Sequence, residues 1–79
     1  MASEVTVRYW AGARRAAGRE SELLTAVDLA DLRAQLQRRP ELVAVLAASS
    51  VLVDAAHGEE DQPLRPGAVV DILPPFAGG

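Results

Sequence analysis

Residues 4–10 alternate between apolar and polar side chains, which predicts a β-strand with one face against a core. The faces of this first strand are Val5, Val7 and Tyr9 on one side and Thr6, Arg8 and Trp10 on the other. A second strand is predicted over 21–27, where Leu23, Thr25 and Val27 alternate with Glu22 and Leu24. Residues 11–19, between the two, contain two glycines and three arginines, so we expect a connection there.

The spacing then changes to that of a helix. Leu29, Leu32 and Leu36 recur at intervals of three and four residues, which places them on one helical face. Asp28 precedes them as an N-cap, because its carboxylate can accept hydrogen bonds from the free amides of the first turn, and Pro40 ends the helix. A second, shorter helix is predicted from Pro40, with an apolar stripe of Leu42, Val45 and Leu46 and an end at Ser49–Ser50.

The last third of the chain returns to short apolar runs. Residues 51–53 predict a buried strand, and residues 54–62 are polar enough to predict a solvated loop or hairpin end. Residues 63–64 predict a very short edge strand, residues 65–67 a turn, and residues 68–73 the last strand.

This order of elements predicts an α+β protein of two layers. The natural candidate is the β-grasp (ubiquitin-like) fold, with a mixed sheet of four to five strands packed against one main helix plus a short second helix. The last strand of that fold lies centrally and parallel to the first, although periodicity alone does not select it over other α+β arrangements. We expect a β-grasp domain over residues 1–73 and a flexible C-terminal Gly-Gly tail over 74–79.

Composition narrows the function classes. The chain has 79 residues, which is one domain, with a net charge of −3 that disfavours a nucleic-acid partner. It has no cysteine and one histidine, His57, so disulfides, thiolate chemistry and an imidazole-rich metal centre are excluded. No apolar run reaches the roughly 20 residues that span a bilayer, and we expect a cytoplasmic protein without a membrane partner. All eight basic residues are arginine, a bias typical of GC-rich codon usage. Because lysine is absent, the protein offers no side-chain amine that could attack the activated C-terminus of another copy.

The tail, Pro74-Pro75-Phe76-Ala77-Gly78-Gly79, carries the candidate chemistry. Prolines donate no backbone hydrogen bond, so the sheet should end there and the chain should leave it extended. Small residues at the end would let the Gly79 carboxylate enter a narrow channel in another protein. An ionised carboxylate is a poor electrophile, so a partner would have to convert it into an acyl-adenylate before sulfur could displace AMP. The alternative is a frayed terminus without function.

The run Leu73-Pro-Pro-Phe-Ala-Gly-Gly79 resembles the end of the small subunit of molybdopterin synthase, in the MoaD/ThiS sulfur-carrier family. The spacing of Tyr9-Trp10-Ala11, Arg14 and Gly18 also resembles the family's segment after the first strand, and Leu64-x-x-Gly67 is in register. Two positions depart from the family pattern: Asp54 stands where Asn is frequent after the third strand, and Ala68 follows Gly67 in place of Asp. Both positions look structural, and they weaken the assignment to a pathway more than the assignment to sulfur carriers.

The resemblance implies a sulfur carrier that is adenylated and thiocarboxylated at Gly79 and donates sulfur in molybdenum cofactor biosynthesis. The implied partners are the large subunit of molybdopterin synthase, an adenylating enzyme and a sulfurtransferase. The chain would bind no cofactor or metal itself, the ATP and metal ion being used by the adenylating partner, and would supply no catalytic side chain. The alternatives are a carrier for cysteine, thiamine or a thio-metabolite, a β-grasp binding module that is never activated, and a protein tag.

Several further residues have competing interpretations. Pro75, Phe76, Ala77 and Gly78 are expected to enter partner active sites with Gly79, and Phe76 either anchors in a partner groove or packs on its own sheet edge. Trp10 and Arg14 are candidate interface residues, with Arg14 alternatively holding a loop through backbone carbonyls. His57 and the acidic residues 59–61 are interpreted as solvated.

Overall fold

The computed structural model describes residues 1–75, which form one sheet and three helices. The elements in chain order are β1 (Ser3–Tyr9), α1 (Ala11–Ala17), β2 (Ser21–Ala26), α2 (Leu29–Gln37), α3 (Pro40–Ala48), β3 (Ser50–Val53), β4 (Ala56–His57) and β5 (Val69–Leu73). The five strands are ordered β2-β1-β5-β3-β4. β5 is parallel to β1, and all other pairs are antiparallel. The predicted mixed sheet, with its last strand central and parallel to the first, is confirmed.

The core lies between one face of the sheet and the helices. The alternation in β1 buries Val5, Val7 and Tyr9, as predicted. The core side of β5 consists of Val70 and Ile72, which pair in register with Val7 and Tyr9. The helices contribute the buried leucines 29, 32, 36, 42 and 46, so both predicted helical stripes face the core. Removing this apolar surface from water is the main driving force for the fold.

Helix α2 begins and ends where the sequence predicts. The backbone N–H of Asp31 donates to the Asp28 side chain at 2.8 Å, which satisfies one of the free amides of the first turn. Pro40 starts α3 immediately after the junction, at a position where its missing N–H costs no hydrogen bond. Asp28 is therefore confirmed as the cap that sets the start of this helix.

A third helix was not predicted. Residues 11–19, expected only as a connection, contain α1, whose one buried residue is Ala13. Alanine has the highest intrinsic helix propensity, and Gly18 ends the helix with φ 75°, a left-handed conformation that glycine adopts without strain. The expected main helix plus short second helix is thus corrected to three helices of 7, 9 and 9 residues. None of the helices in residues 1–75 is long and apolar enough to cross a membrane.

The strands show one detail that the sequence left open, the inner face of β2, and one that differs from the prediction, the position of the short edge strand. In β2 the side toward the core carries Glu22, Leu24 and Ala26, while Leu23 is 62% exposed. Pairing explains this, because Val5 and Val7 lie opposite Leu24 and Glu22 and so place them on the inner face. The short edge strand is β4, at residues 56–57, whereas Pro63 forms only an isolated bridge to Asp28.

The turn between β4 and β5 is built as predicted. The N–H of Ala68 donates to the carbonyl of Arg65 at 3.0 Å, and Gly67 has φ 83°. Proline followed by a residue of positive φ is the pattern of a type II turn. In the turn after β3, the Asp54 carboxylate accepts the N–H of Val69 at 2.9 Å, which confirms the structural role expected for Asp in place of Asn.

Candidate functional site

The tail begins at the end of the central strand. The last pairs of β5 are Ile72 with Tyr9 of β1 and Leu73 with Ser50 of β3. Pro74 is half-buried and Pro75 is exposed. Because neither proline has an N–H, neither can extend the ladder, and the chain leaves the sheet at the point where β1 also ends.

Most of the predicted site lies beyond this point. Phe76, Ala77, Gly78 and Gly79 fall outside the described residues, and their expected roles stay predictions. Of the residues expected to enter a partner's active site, the structure places Pro75, which is exposed next to the last strand. What the structure adds is the environment of the tail's origin.

An ionic cluster lies on the outer face of the sheet next to this origin. Arg8 holds Asp71 with two hydrogen bonds, from Nε to Oδ1 at 2.6 Å and from Nη2 to Oδ2 at 3.0 Å. The indole N–H of Trp10 donates to the same Oδ1 at 2.9 Å. The hydrogen bond from Arg8 lowers the pKa of the Asp71 carboxyl, burial opposes that effect, and the Trp10 hydrogen bond adds to the lowering. Asp71 is therefore a buried but ionised residue on a sheet face without helices.

Strand register explains how the cluster forms. Arg8 and Asp71 are direct neighbours on the parallel strands β1 and β5, and Trp10 follows Arg8 by two residues on the same side. The Arg8 guanidinium also lies 5.5 Å from the centre of the Trp10 ring, within cation–π range. The Trp10 backbone N–H donates to the carbonyl of Ile72 at 3.3 Å. The indole is thus held at the tail's origin by both its backbone and its side chain.

The two predicted interface residues occupy this region. Trp10 is 44% exposed and Tyr9 is buried, which confirms that the two aromatics face opposite sides. Arg14 pairs with Glu20 at 3.2 Å, so it contacts a carboxylate and not the backbone carbonyls considered from the sequence. Both partners of that pair are largely exposed, and such pairs contribute little to stability. A partner could therefore compete for Arg14 at small cost.

Sequence reasoning missed Arg8 and Asp71 as part of this site. A usable signal was present, since Asp71 is the one charged residue within the apolar run 68–73. A carboxylate in a central strand must be paired to be tolerated when buried. Its partner could not be read from the sequence, because Arg8 is 63 residues away in the chain.

A second polar network faces the helices. The Tyr9 hydroxyl donates to Glu22 Oε2 at 2.5 Å, and Arg39 Nη1 donates to the same oxygen at 2.6 Å. Burial opposes ionisation of Glu22, but the hydrogen bonds from Arg39 and Tyr9 outweigh it and lower the pKa of Glu22. Burial and the bond to Glu22 raise the pKa of the Tyr9 hydroxyl. This network ties the end of α2 to the β1–β2 hairpin.

The remaining candidates lie at the surface. His57 is exposed, as expected, although it belongs to β4 and not to a loop. Residues 59–61 are exposed too, and Glu60 pairs with Arg33 at 2.7 Å. Within residues 1–75, no three His, Asp or Glu side chains are grouped so that they could hold a metal ion.

The fold belongs to the class of ubiquitin-like β-grasp domains, and its central strand leads directly into two prolines. More specifically, the chain belongs to the ThiS family, whose model matches residues 7–79. None of the curated proteins matches the chain by sequence.

Solved structures agree with this assignment. The chain is similar to one chain of the complex of subunits 1 and 2 of molybdopterin-converting factor from Helicobacter pylori. The two chains are 30% identical over 96% of this chain and 99% of that one, with a TM-score of 0.80. Putative molybdopterin converting factor subunit 1 from Pyrococcus furiosus has 23% identity over 94% and 99% of the two chains, with a TM-score of 0.84. The small archaeal modifier protein 1 from Methanosarcina acetivorans has 23% identity over 100% and 99%, with a TM-score of 0.83. The Pyrococcus and Methanosarcina proteins, each 23% identical to the chain, show that the fold is shared.

Proposed function

We propose that the protein is a sulfur carrier, adenylated and thiocarboxylated at Gly79, which acts as the small subunit of molybdopterin synthase. The observation that carries the proposal is the family match, which extends through Gly79 and so includes the tail that leaves the central strand. The similarity to the subunit 1–subunit 2 complex of Helicobacter pylori supports the large subunit as a partner.

The chemistry follows from the tail. In the first step a carboxylate oxygen of Gly79 attacks the α-phosphorus of ATP, and pyrophosphate leaves. A sulfur nucleophile at the oxidation level of sulfide then attacks the carbonyl carbon, AMP leaves, and a thiocarboxylate remains. The adenylating enzyme supplies the ATP site and metal ion, and a sulfurtransferase supplies the sulfur. Glycine at the last two positions leaves the carbonyl open to both reagents.

The folded domain presents the tail in this scheme. β5 is anchored by β1 and β3 on its two sides, and Trp10 is fixed at its end. Ordering the tail's origin in advance reduces the entropy that a partner must remove when it binds the tail. Phe76 adds an apolar anchor for the partner's groove.

Intact-mass analysis after incubation with the adenylating enzyme, ATP and a sulfide source tests the proposal. We expect a species heavier by the difference between a sulfur and an oxygen atom. A chain extended by three residues beyond Gly79 should fold normally and gain no sulfur, while the same extension placed before Met1 should leave the reaction intact. Sulfur transfer to the C-terminally extended chain without trimming contradicts the proposal.

Mass spectrometry also distinguishes a sulfur carrier from a small protein modifier. A tag would be recovered from cells in amide linkage to lysines of other proteins, whereas a carrier would be recovered as the free thiocarboxylate. The particular sulfur pathway is tested by complementing a strain that lacks the small subunit of molybdopterin synthase. Failure there, with thiocarboxylate formation intact, would point to a carrier for cysteine, thiamine or a thio-metabolite.

A further inference from the structure

Charged side chains are divided between the two ends of the domain. The tail end is where β1 and β5 finish and β2 begins, and the opposite end holds the start of α2, the turn before β5 and the loop after β4. The tail end carries six arginines, at positions 8, 14, 15, 19, 38 and 39, and four acids, at positions 20, 22, 41 and 71. The opposite end carries two arginines, at positions 33 and 65, and seven acids, at positions 4, 28, 31, 54, 59, 60 and 61.

These positions give side-chain charges of +2 at the tail end and −5 at the opposite end, which together make the −3 of the whole chain. The tertiary contacts assign each group to its end. Arg39 reaches Glu22 near the start of β2, and the carbonyl of Glu60 accepts the N–H of Ala30 at the start of α2. A mildly acidic protein thus has a basic end, and the tail leaves from it.

Several arginines at this end are available to a partner. Arg15, Arg19 and Arg38 are exposed. We call these three residues the arginine-rich end. Within residues 1–75, Arg15 and Arg38 form no ion pair, and Arg19 approaches Glu22 only at 3.8 Å. Exposed guanidinium groups are well suited to bind carboxylates through two parallel hydrogen bonds.

The tail cannot provide this attraction itself. Residues 73–79 contain no charged side chain, and the carboxylate proposed to react is negative. Any electrostatic guidance of the tail into a channel must therefore come from the folded domain behind it. Opposite charges at the two ends also orient the molecule in a partner's field, so that the tail end leads.

We propose that the arginine-rich end is a docking surface for a protein whose channel for the tail is rimmed by aspartate and glutamate. The inference rests on the proposed function for the role of the tail, and it adds the chemistry of the partner surface. The partner that we assign to this surface is the adenylating enzyme, because in the proposed function it is the first protein to receive the tail. The acidic opposite end faces away from that enzyme during approach.

The test is the association rate with the adenylating enzyme of the same organism, measured by stopped flow from low to 0.5 M salt. We expect Arg15→Glu and Arg38→Glu each to lower the rate constant about threefold to tenfold at low salt, with the difference fading as salt screens the charges. The matched control is Arg65→Glu, which changes net charge by the same amount at the opposite end and should alter the rate less than about twofold. Circular dichroism checks each fold, and Arg15→Gln gives a milder change within α1.

The outcomes separate this inference from the proposed function. Equal effects of Arg15→Glu and Arg65→Glu, or an association rate independent of salt, overturn the docking surface. Intact mass of the same mixtures at saturating enzyme reports on the carrier chemistry alone. Salt-dependent binding through the arginine-rich end without any activation of Gly79 would keep the docking surface and overturn the carrier, and absence of binding would overturn both.

Discussion

Substitution of Tyr9 by phenylalanine tests the network behind the β1–β2 hairpin. The ring is buried, with 2% of its surface exposed, so Phe fills the same space and only the hydroxyl is lost. That hydroxyl donates to the Glu22 carboxylate at 2.5 Å. A hydrogen bond to a charged group contributes about 1.5–3 kcal/mol, and Glu22 keeps Arg39, so we expect a loss of about 1.5–2 kcal/mol at pH 7. For a domain of this size the melting temperature should fall by roughly 10 °C.

The effect should depend on pH. The folded-state pKa of Glu22 lies below its ordinary value, so ionisation of Glu22 stabilises the fold above the unfolded pKa of about 4.3. That contribution is lost as pH falls through the folded pKa. Tyr9→Phe removes one of the hydrogen bonds that lower this pKa, so the pKa should rise toward the unfolded value. The deficit of the variant should therefore shrink from its value at pH 7 to about 0.5–1 kcal/mol at a second pH, chosen below the folded pKa of Glu22.

Urea denaturation at both pH values, with a carboxyl NMR titration of Glu22, measures these quantities. Glu22→Gln is the matched background, because its amide oxygen still accepts the Tyr9 hydroxyl without a charge. In the Glu22→Gln background, Tyr9→Phe should lower the free energy of unfolding by less than about 1 kcal/mol. A cost that is the same at both pH values and in both backgrounds would assign the effect to ring packing and refute the charged hydrogen bond.

Two further predictions concern backbone geometry. Asp54→Ala removes the acceptor for the Val69 N–H, so the free energy of unfolding measured with urea should fall by about 1 kcal/mol. Asp54→Asn should change it by less than about 0.5 kcal/mol, because asparagine keeps an acceptor and tolerates φ 49°. Equal losses in the two variants would contradict this role of Asp54. Gly58→Ala should destabilise by about 1–3 kcal/mol, since the new Cβ would lie 2.7 Å from Leu29 Cδ2. Gly12→Ala in α1 is the control, because the nearest atom to its new Cβ would be Arg15 Nη2 at 3.8 Å. This variant should gain up to about 1 kcal/mol in the free energy of unfolding. If the melting temperatures of the Gly58 and Gly12 variants move in the same direction, the packing argument is refuted.

Local patterns in the sequence determined most of the elements. The alternation of Val5, Val7 and Tyr9, the leucine spacing of α2 and the cap at Asp28 each follow from interactions within a few residues. The tail and its glycines, too, are readable without a fold, since proline and glycine act through their own backbone chemistry.

Tertiary structure decided what depends on pairing. Helix α1 has one buried residue and therefore no apolar stripe to detect, and β4 is two residues long and exists because β3 pairs with it. The inner face of β2 was set by its register with β1. Arg8 meets Asp71, and the arginines gather at the tail end, only because distant segments meet in the folded sheet. Strand register and chain reversal are long-range properties, and for that reason the surroundings of the tail could not be read from the residues that form it.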